Sequence, residues 1–330
     1  MHEKKITNKE VSRRNFLDRR SFIKSAAGIG MAAGMSGAGV TTWAEQPLQK
    51  RKKAVLKLSC QEWLVPGKTT LERAAKLDKW GALGLELKGD ELPKRVKEVK
   101  EAIKGTNLKV SAICGGYSGV LISQQRSERE KAVKGIKDIL TATGELGSTG
   151  LIIVPAFNEG FLPSSHSMSS NYPNLNNKQG RKVLVDLLAE LGEYAVKCGT
   201  RVMMEPLNRK EAFFLRLLAD AAAICRDVNH PGAAMMGDFY HMNIEETSDM
   251  GAFLSAGGYM HHVHLASAAR NLPGQDERSF VDGFRGLKMI GYQDYCSMEC
   301  GIKGNPDVEI PKSFRFLEKQ WEQATVHFVE

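Results

Sequence analysis

Four apolar runs in the C-terminal half of the chain each end on a metal-grade ligand. They are Val202-Met203-Met204-Glu205, Ala234-Met235-Met236-Gly237-Asp238, His262-Val263-His264 and Cys296-Ser297-Met298-Glu299. Successive ligands stand 33, 26 and 35 residues apart. A (β/α)₈ barrel of about 250 residues spends roughly 31 residues on each strand-plus-helix unit. Four consecutive parallel strands would therefore carry Glu205, Asp238, His264 and Glu299 to one rim, the rim where such barrels do chemistry. Three carboxylates and an imidazole gathered there repel and desolvate one another unless a divalent cation sits between them.

The remainder of the chain keeps the same rhythm. Short apolar, β-rich segments at 55–60, 84–87, 109–114, 150–154, 201–205, 233–238, 261–264 and 295–299 alternate with amphipathic stretches. Helical period shows in Val96, Val99 and Ile103, in Val133, Ile136 and Leu140, and in Val183, Leu184, Leu187, Leu188 and Leu191. Strands alternating with helices imply parallel βαβ units. Eight of them, with no glycine-rich dinucleotide fingerprint after the first, predict a closed α/β (TIM) barrel forming one domain over residues 45–330. One connection breaks the rhythm: residues 157–178 are rich in Ser, Asn and Pro. A connection that long is expected to be a lid or binding loop over the ligand rim.

Residues 1–44 are set apart from the fold. Two Arg-Arg pairs, Arg13-Arg14 and Arg19-Arg20, precede a weakly apolar Ala/Gly/Met stretch from Ser25 to Val40 and then Thr42-Trp43-Ala44. This resembles a twin-arginine export signal cleaved after Ala44 and predicts a periplasmic or secreted protein. The glycines from Gly28 to Gly39 argue against a stable membrane anchor. That segment holds eight Lys/Arg and three Asp/Glu of the chain's 46 and 38, leaving 38 basic against 35 acidic residues. A net charge of +3 gives no ground for a nucleic-acid partner. The six cysteines lack framework spacing, lie in or beside strands and helix ends, and are expected to be buried and free.

The ligand segments in full are Met204-Glu205-Pro206-Leu207-Asn208-Arg209 with Glu211, Asp238-Phe239-Tyr240-His241, His264 through Arg270, and Ser297-Met298-Glu299-Cys300. Together, in order and at these spacings, they resemble the sugar isomerase/epimerase superfamily with the xylose-isomerase-like barrel, most of all its D-tagatose/D-psicose 3-epimerase group. The resemblance implies metal ligation by Glu205, Asp238, His264 and Glu299, and substrate contacts from Glu211, His241 and Arg270. The donor set independently suits Mn²⁺ foremost, with Mg²⁺ or Co²⁺ as alternatives. The resemblance also implies a mechanism: Glu205 and Glu299 act as acid and base on opposite faces of an enediolate formed from a ketose or keto-sugar. Ala266-Ser267-Ala268-Ala269 departs from the family pattern after the barrel histidine and leaves the substrate open.

Other functions compete with an epimerase or isomerase of a small carbohydrate. A lyase or hydratase on a keto-glycoside would use the same enediolate, and a non-catalytic carbohydrate-binding barrel would use only the fold. An endonuclease IV-like phosphodiesterase needs further histidines from the early strands, and none precedes Glu205 there. Met203-Met204 and Met235-Met236 are expected to pack the barrel. His261 and His262 are expected to be packing residues, although alternation sends His262 and His264 to one face. Lys94, Arg95 and Lys97 are expected on a solvated helix face. The oligomeric state stays open, and a homo-oligomer is allowed for.

Overall fold

Period-two alternation along eight apolar segments closes them into a barrel. The computed structural model describes residues 52–158 and 174–326. The strands are β1 (Lys57–Gln61), β2 (Gly84–Lys88), β3 (Lys109–Cys114), β4 (Leu151–Ile153), β5 (Val202–Met204), β6 (Ala233–Asp238), β7 (Met260–Leu265) and β8 (Tyr295–Met298). Each pairs in parallel with the next, and β8 returns to β1 with Ser297 opposite Ser59. Ala112, Ile152, Met203, Ala234 and Met236 pack together as one cluster, while Met204 and Met235 join the larger cluster between strands and helices. Each methionine pair is thus split between the two faces of its strand, as alternation requires.

The predicted strands all form, with edges moved by one or two residues. The first begins at Lys57 rather than 55, because the Val55 amide donates to the Tyr292 carbonyl outside the strand ladder (3.0 Å). Glu205 and Glu299 fall one residue beyond β5 and β8, so both stand on the rim itself. Helices α1 (Thr70–Lys79), α2 (Leu92–Ile103), α3 (Arg126–Glu145), α4 (Asn177–Lys197) and α5 (Leu218–Val228) wrap the first six strands. Side-chain caps start several of them: Thr69 accepts from the Glu72 amide at 3.2 Å, and Asn176 from the Gln179 amide at 3.0 Å.

The shortest ligand gap, Asp238 to His264, holds two short helices instead of one, α6 (Phe239–Glu245) and α7 (Asp249–Ala256). Asp238 caps α6 by accepting from the Tyr240 amide at 2.7 Å, and Ser248 caps α7 by accepting from the Gly251 amide at 3.1 Å. Two capping residues ten positions apart divide what a continuous helix would have spanned. Helices α8 (Val281–Ile290) and α9 (Pro306–Gln323) complete the ring.

Phe239 anchors the rim helix α6. Its ring lies 4.9 Å from Phe280 and 5.5 Å from Phe253, centre to centre. A Cβ at Gly283 would stand 2.5 Å from the same ring, so the position admits no side chain without displacing it. Phe239→Ala is expected to cost about 3–5 kcal/mol of stability. Denaturant unfolding checks this, and a change below about 1 kcal/mol would show the aromatic cluster to be dispensable.

Three expectations change. Arg95 is not on a solvated face: its guanidinium contacts the buried Glu62 carboxylate at 2.8 Å, a partner 33 residues earlier. His262 does more than pack, since its buried ring bonds Glu86 at 2.9 Å. All six cysteines are free, but only Cys60, Cys225 and Cys296 are buried, and Cys114, Cys198 and Cys300 are half-buried. The export segment at 1–44 and the central part of the proposed lid, 159–173, lie outside the described residues. No described helix is long and apolar enough to cross a membrane.

Candidate metal centre

Adjacent strand ends bring the four expected ligands together. Glu205, Asp238, His264 and Glu299 each offer one ligand atom, and these atoms all lie within 4.8 Å of one another. His264 Nδ1 stands 3.2 Å from Glu299 Oε2 and 3.6 Å from Glu205 Oε1. Three of the converging atoms are buried without a hydrogen-bond partner: Glu205 Oε1, Asp238 Oδ2 and His264 Nδ1. Asp238 is instructive, because its Oδ1 is occupied by the Tyr240 amide and only Oδ2 is turned to the cluster. Leaving such atoms unpaired in a protein interior is costly. One divalent cation would satisfy all three at once, and an oxygen-rich set with a single imidazole suits Mn²⁺, Mg²⁺ or Co²⁺.

The electrostatics point the same way. Burial pushes the Glu205 carboxyl up to about 7, with the Glu299 and Asp238 charges adding to it and His264 opposing. Burial, reinforced by Glu299, pushes Asp238 up to about 6. Burial acts on Glu299 too, but His264 and Arg270 outweigh it and hold that carboxyl well below its usual range. Burial lowers His264, yet Glu86 and Glu299 more than reverse this, so the ring is pushed well above the usual imidazole range. The cluster thus demands positive charge at its centre, and a divalent cation supplies more of it than a proton does.

Beneath the ligands lies a second layer that the motifs did not announce. Glu86 Oε1 accepts from His264 Nε2–H at 3.0 Å and from Gln61 Nε2–H at 2.8 Å. Its Oε2 accepts from His262 Nε2–H at 2.9 Å. Burial would raise Glu86, but His264 and His262 bring it down to about 2, so it is an acceptor only. With the Nε2 proton fixed there, a neutral His264 presents its Nδ1 lone pair to the ligand cluster. Gln61 also donates to Glu299 Oε1 at 3.0 Å, tying the lower layer to the upper one.

The three residues expected to meet substrate stand around the same point. Asn208 donates its backbone N–H to His241 Nδ1 at 3.2 Å, which places the ring proton of neutral His241 on Nε2. That Nε2 has no hydrogen-bond partner and lies 3.5 Å from Asp238 Oδ2 and 3.9 Å from Glu205 Oε1. Burial, with Arg270 nearby, lowers His241 to about 3, so it acts as a neutral donor. Arg270 reaches Glu211 at 3.0 Å and Glu299 at 3.4 Å, and stacks 4.6 Å over Tyr240. Its backbone is left-handed (φ 56°), a cost held by the Gly301 amide donating to its carbonyl at 2.7 Å. Asn208 also donates to Glu211 at 2.9 Å.

The four expected ligands and the three expected contact residues are thus brought together by the fold. Glu86, Gln61 and Asn208 stood in view in the sequence but were given no role. A carboxylate inside the apolar run Gly84-Leu85-Glu86-Leu87 was the available signal, but nothing local named its histidine partners. Above the cluster opens a cavity of about 320 Å³. Its lining includes Glu205, Glu211, His241, Arg270 and Glu299 together with Trp63, Lys88 and Gly115.

Residues 74–320 match the family described as xylose isomerase-like TIM barrel. The 3-dehydro-D-guloside 4-epimerase of Escherichia coli K12 is 32% identical over 248 residues, which are 75% of this chain and 93% of that protein. The D-psicose 3-epimerase of Ruminiclostridium cellulolyticum is 26% identical over 72% of this chain and 80% of that protein. The solved apo structure of an E. coli 3-keto-D-glucoside 4-epimerase superposes with a TM-score of 0.72 at 30% identity, covering 80% of this chain and all of that one.

Proposed function

We propose, from the premise that this chain belongs to the xylose isomerase-like TIM barrel family, that it is a divalent-metal-dependent epimerase inverting the carbon beside the ketone of a keto-sugar. Its favoured substrate is a keto-glycoside, with free ketoses as the second class. The observation that carries this reading is the pair of carboxylates, buried Glu205 and half-buried Glu299, that stand 3.6 and 3.2 Å from His264 Nδ1 in one cluster with unpaired ligand atoms. The relatives add the direction: one is named for 4-epimerisation of a 3-dehydro-guloside, and another for 3-epimerisation of psicose.

Glu205, Asp238, His264 and Glu299 would hold the ion, which when bound supplies Lewis-acid stabilisation to the developing oxyanion. Inversion needs one base on each face of a planar enediolate. Glu299, held ionised by His264 and Arg270, takes the proton from one face, and Glu205, pushed up by burial to about 7, returns a proton to the other; the roles exchange in the reverse direction. His241 donates from Nε2 to a substrate oxygen as it gains charge. Arg270 and Asn208 fix Glu211, which accepts from a substrate hydroxyl. The two Arg-Arg pairs before residue 44 support export by the twin-arginine route, which would present the enzyme with unphosphorylated sugars.

The test is isotopic. The Mn²⁺-loaded protein is incubated in D₂O with methyl 3-keto-glucoside and with a panel of ketohexoses, and deuterium is located by NMR. Incorporation at the carbon beside the ketone is expected, lost on EDTA treatment and restored by Mn²⁺. At an ion concentration about 100 times its Kd, stability should rise by about 2.7 kcal/mol. Absence of exchange in every member of the panel would overturn the assignment.

A further inference from the structure

The first two strands place side chains in the cavity wall that the acid–base cluster does not use. Trp63 stands in a 3₁₀ turn, Glu62–Leu64, immediately after β1, lines the cavity and is 40% exposed. Lys88, the last residue of β2, lines the same wall, and its Nζ lies 4.7 Å from the centre of the Trp63 ring. No carboxylate among the described residues forms an ion pair with Lys88.

The turn is braced from behind. Buried Glu62 accepts from Arg95 at 2.8 Å, from Arg73 at 3.3 Å and from the Thr70 hydroxyl at 2.9 Å. One residue of the turn is thereby locked into the interior while the next is displayed. A lone exposed aromatic is ordinary on a protein surface. This one is held on a clamped turn, in the cavity wall, beside an ammonium with no carboxylate partner among the described residues.

That pairing has a chemical complement. A pyranose ring offers a face of C–H groups that packs on an aromatic ring, rimmed by hydroxyls that accept hydrogen bonds from an ammonium. In the reading above the ring being epimerised meets Glu205 and Glu299, just beyond β5 and β8, which leaves Trp63 and Lys88, at the ends of β1 and β2, for whatever is attached to it. Resting on the keto-glycoside reading above, we propose that Trp63 and Lys88 form a subsite for the aglycone, a second pyranose ring. Trp63 is its platform, and Lys88 donates to one of its hydroxyls.

Calorimetric binding to the Mn²⁺-loaded full chain tests this with two probes, methyl 3-keto-glucoside and a 3-keto-disaccharide. The parent protein should bind the disaccharide about tenfold more tightly. Trp63→Ala should bring that ratio to about one, and Trp63→Tyr should retain most of it, with melting temperatures showing that both variants fold. A parent ratio near one, or a ratio untouched by Trp63→Ala, overturns the subsite. Deuterium exchange on the same samples separates the two claims. Exchange with a parent ratio of one keeps the epimerase and removes the subsite, whereas a tenfold ratio without exchange does the reverse. Binding of neither probe overturns both.

Discussion

Glu205→Gln should lower the epimerisation rate by roughly 10²–10⁴-fold, the range that a positioned general acid–base contributes, and Glu299→Gln should do the same. The amide keeps an oxygen facing the cluster but accepts no proton from carbon. The two variants should nevertheless differ in a way that simple inactivation does not. Each retains one base, so each should wash deuterium into only the epimer whose proton faces the surviving carboxylate, without forming the other epimer. The two variants should select opposite epimers. Stability offers an independent control. Glu205 lies buried among Asp238, Glu299 and His264, and Glu299 and Asp238 both repel its charge. Removing one of three crowded acids relieves that repulsion, so the metal-free Glu205→Gln protein should melt higher than the parent while turning over far less. Inversion by Glu205→Gln within tenfold of the parent would remove Glu205 from the acid–base pair.

What the sequence made legible follows a simple physical line. The four rim residues were visible because each is a polar group closing an apolar run, a pattern that strand burial alone does not produce. Their common destination followed from the βα repeat length. The layer below them was hidden by distance along the chain. Glu86 meets His262 and His264 across 176 and 178 residues, and Gln61 meets Glu299 across 238. Barrel closure of β8 onto β1 makes those contacts, and no local window contains them. Arg95 failed for a related reason: helix periodicity put it among lysines on a polar face, while its partner Glu62 belongs to the turn after β1. The split of one expected helix into α6 and α7 was written locally, in Asp238 and Ser248, but Asp238 had already been taken as a ligand. It serves both ends, with one carboxylate oxygen for the helix and the other for the cluster.

The hidden layer carries the second large expected effect. Glu86→Gln should weaken Mn²⁺ binding by about 10–100-fold, the usual cost of losing a carboxylate that orients a metal-bound histidine. The change is nearly isosteric, yet its chemistry is different. Glu86 now accepts from three donors, Gln61, His262 and His264. A glutamine offers one carbonyl oxygen and brings an amide N–H₂ against donors that already fill the other side. One imidazole must then lose its partner or move its proton to Nδ1, and for His264 that proton would occupy the lone pair directed at Glu205 and Glu299. The affinity loss should therefore exceed the loss in turnover measured at saturating Mn²⁺, because the acid–base pair itself is intact. Glu86→Leu separates the two contributions, since it leaves buried donors unpaired and should also cost about 3–5 kcal/mol of stability. If Glu86→Gln binds Mn²⁺ as tightly as the parent, His264 is not oriented from below. The cluster would then have to be held by strand geometry alone.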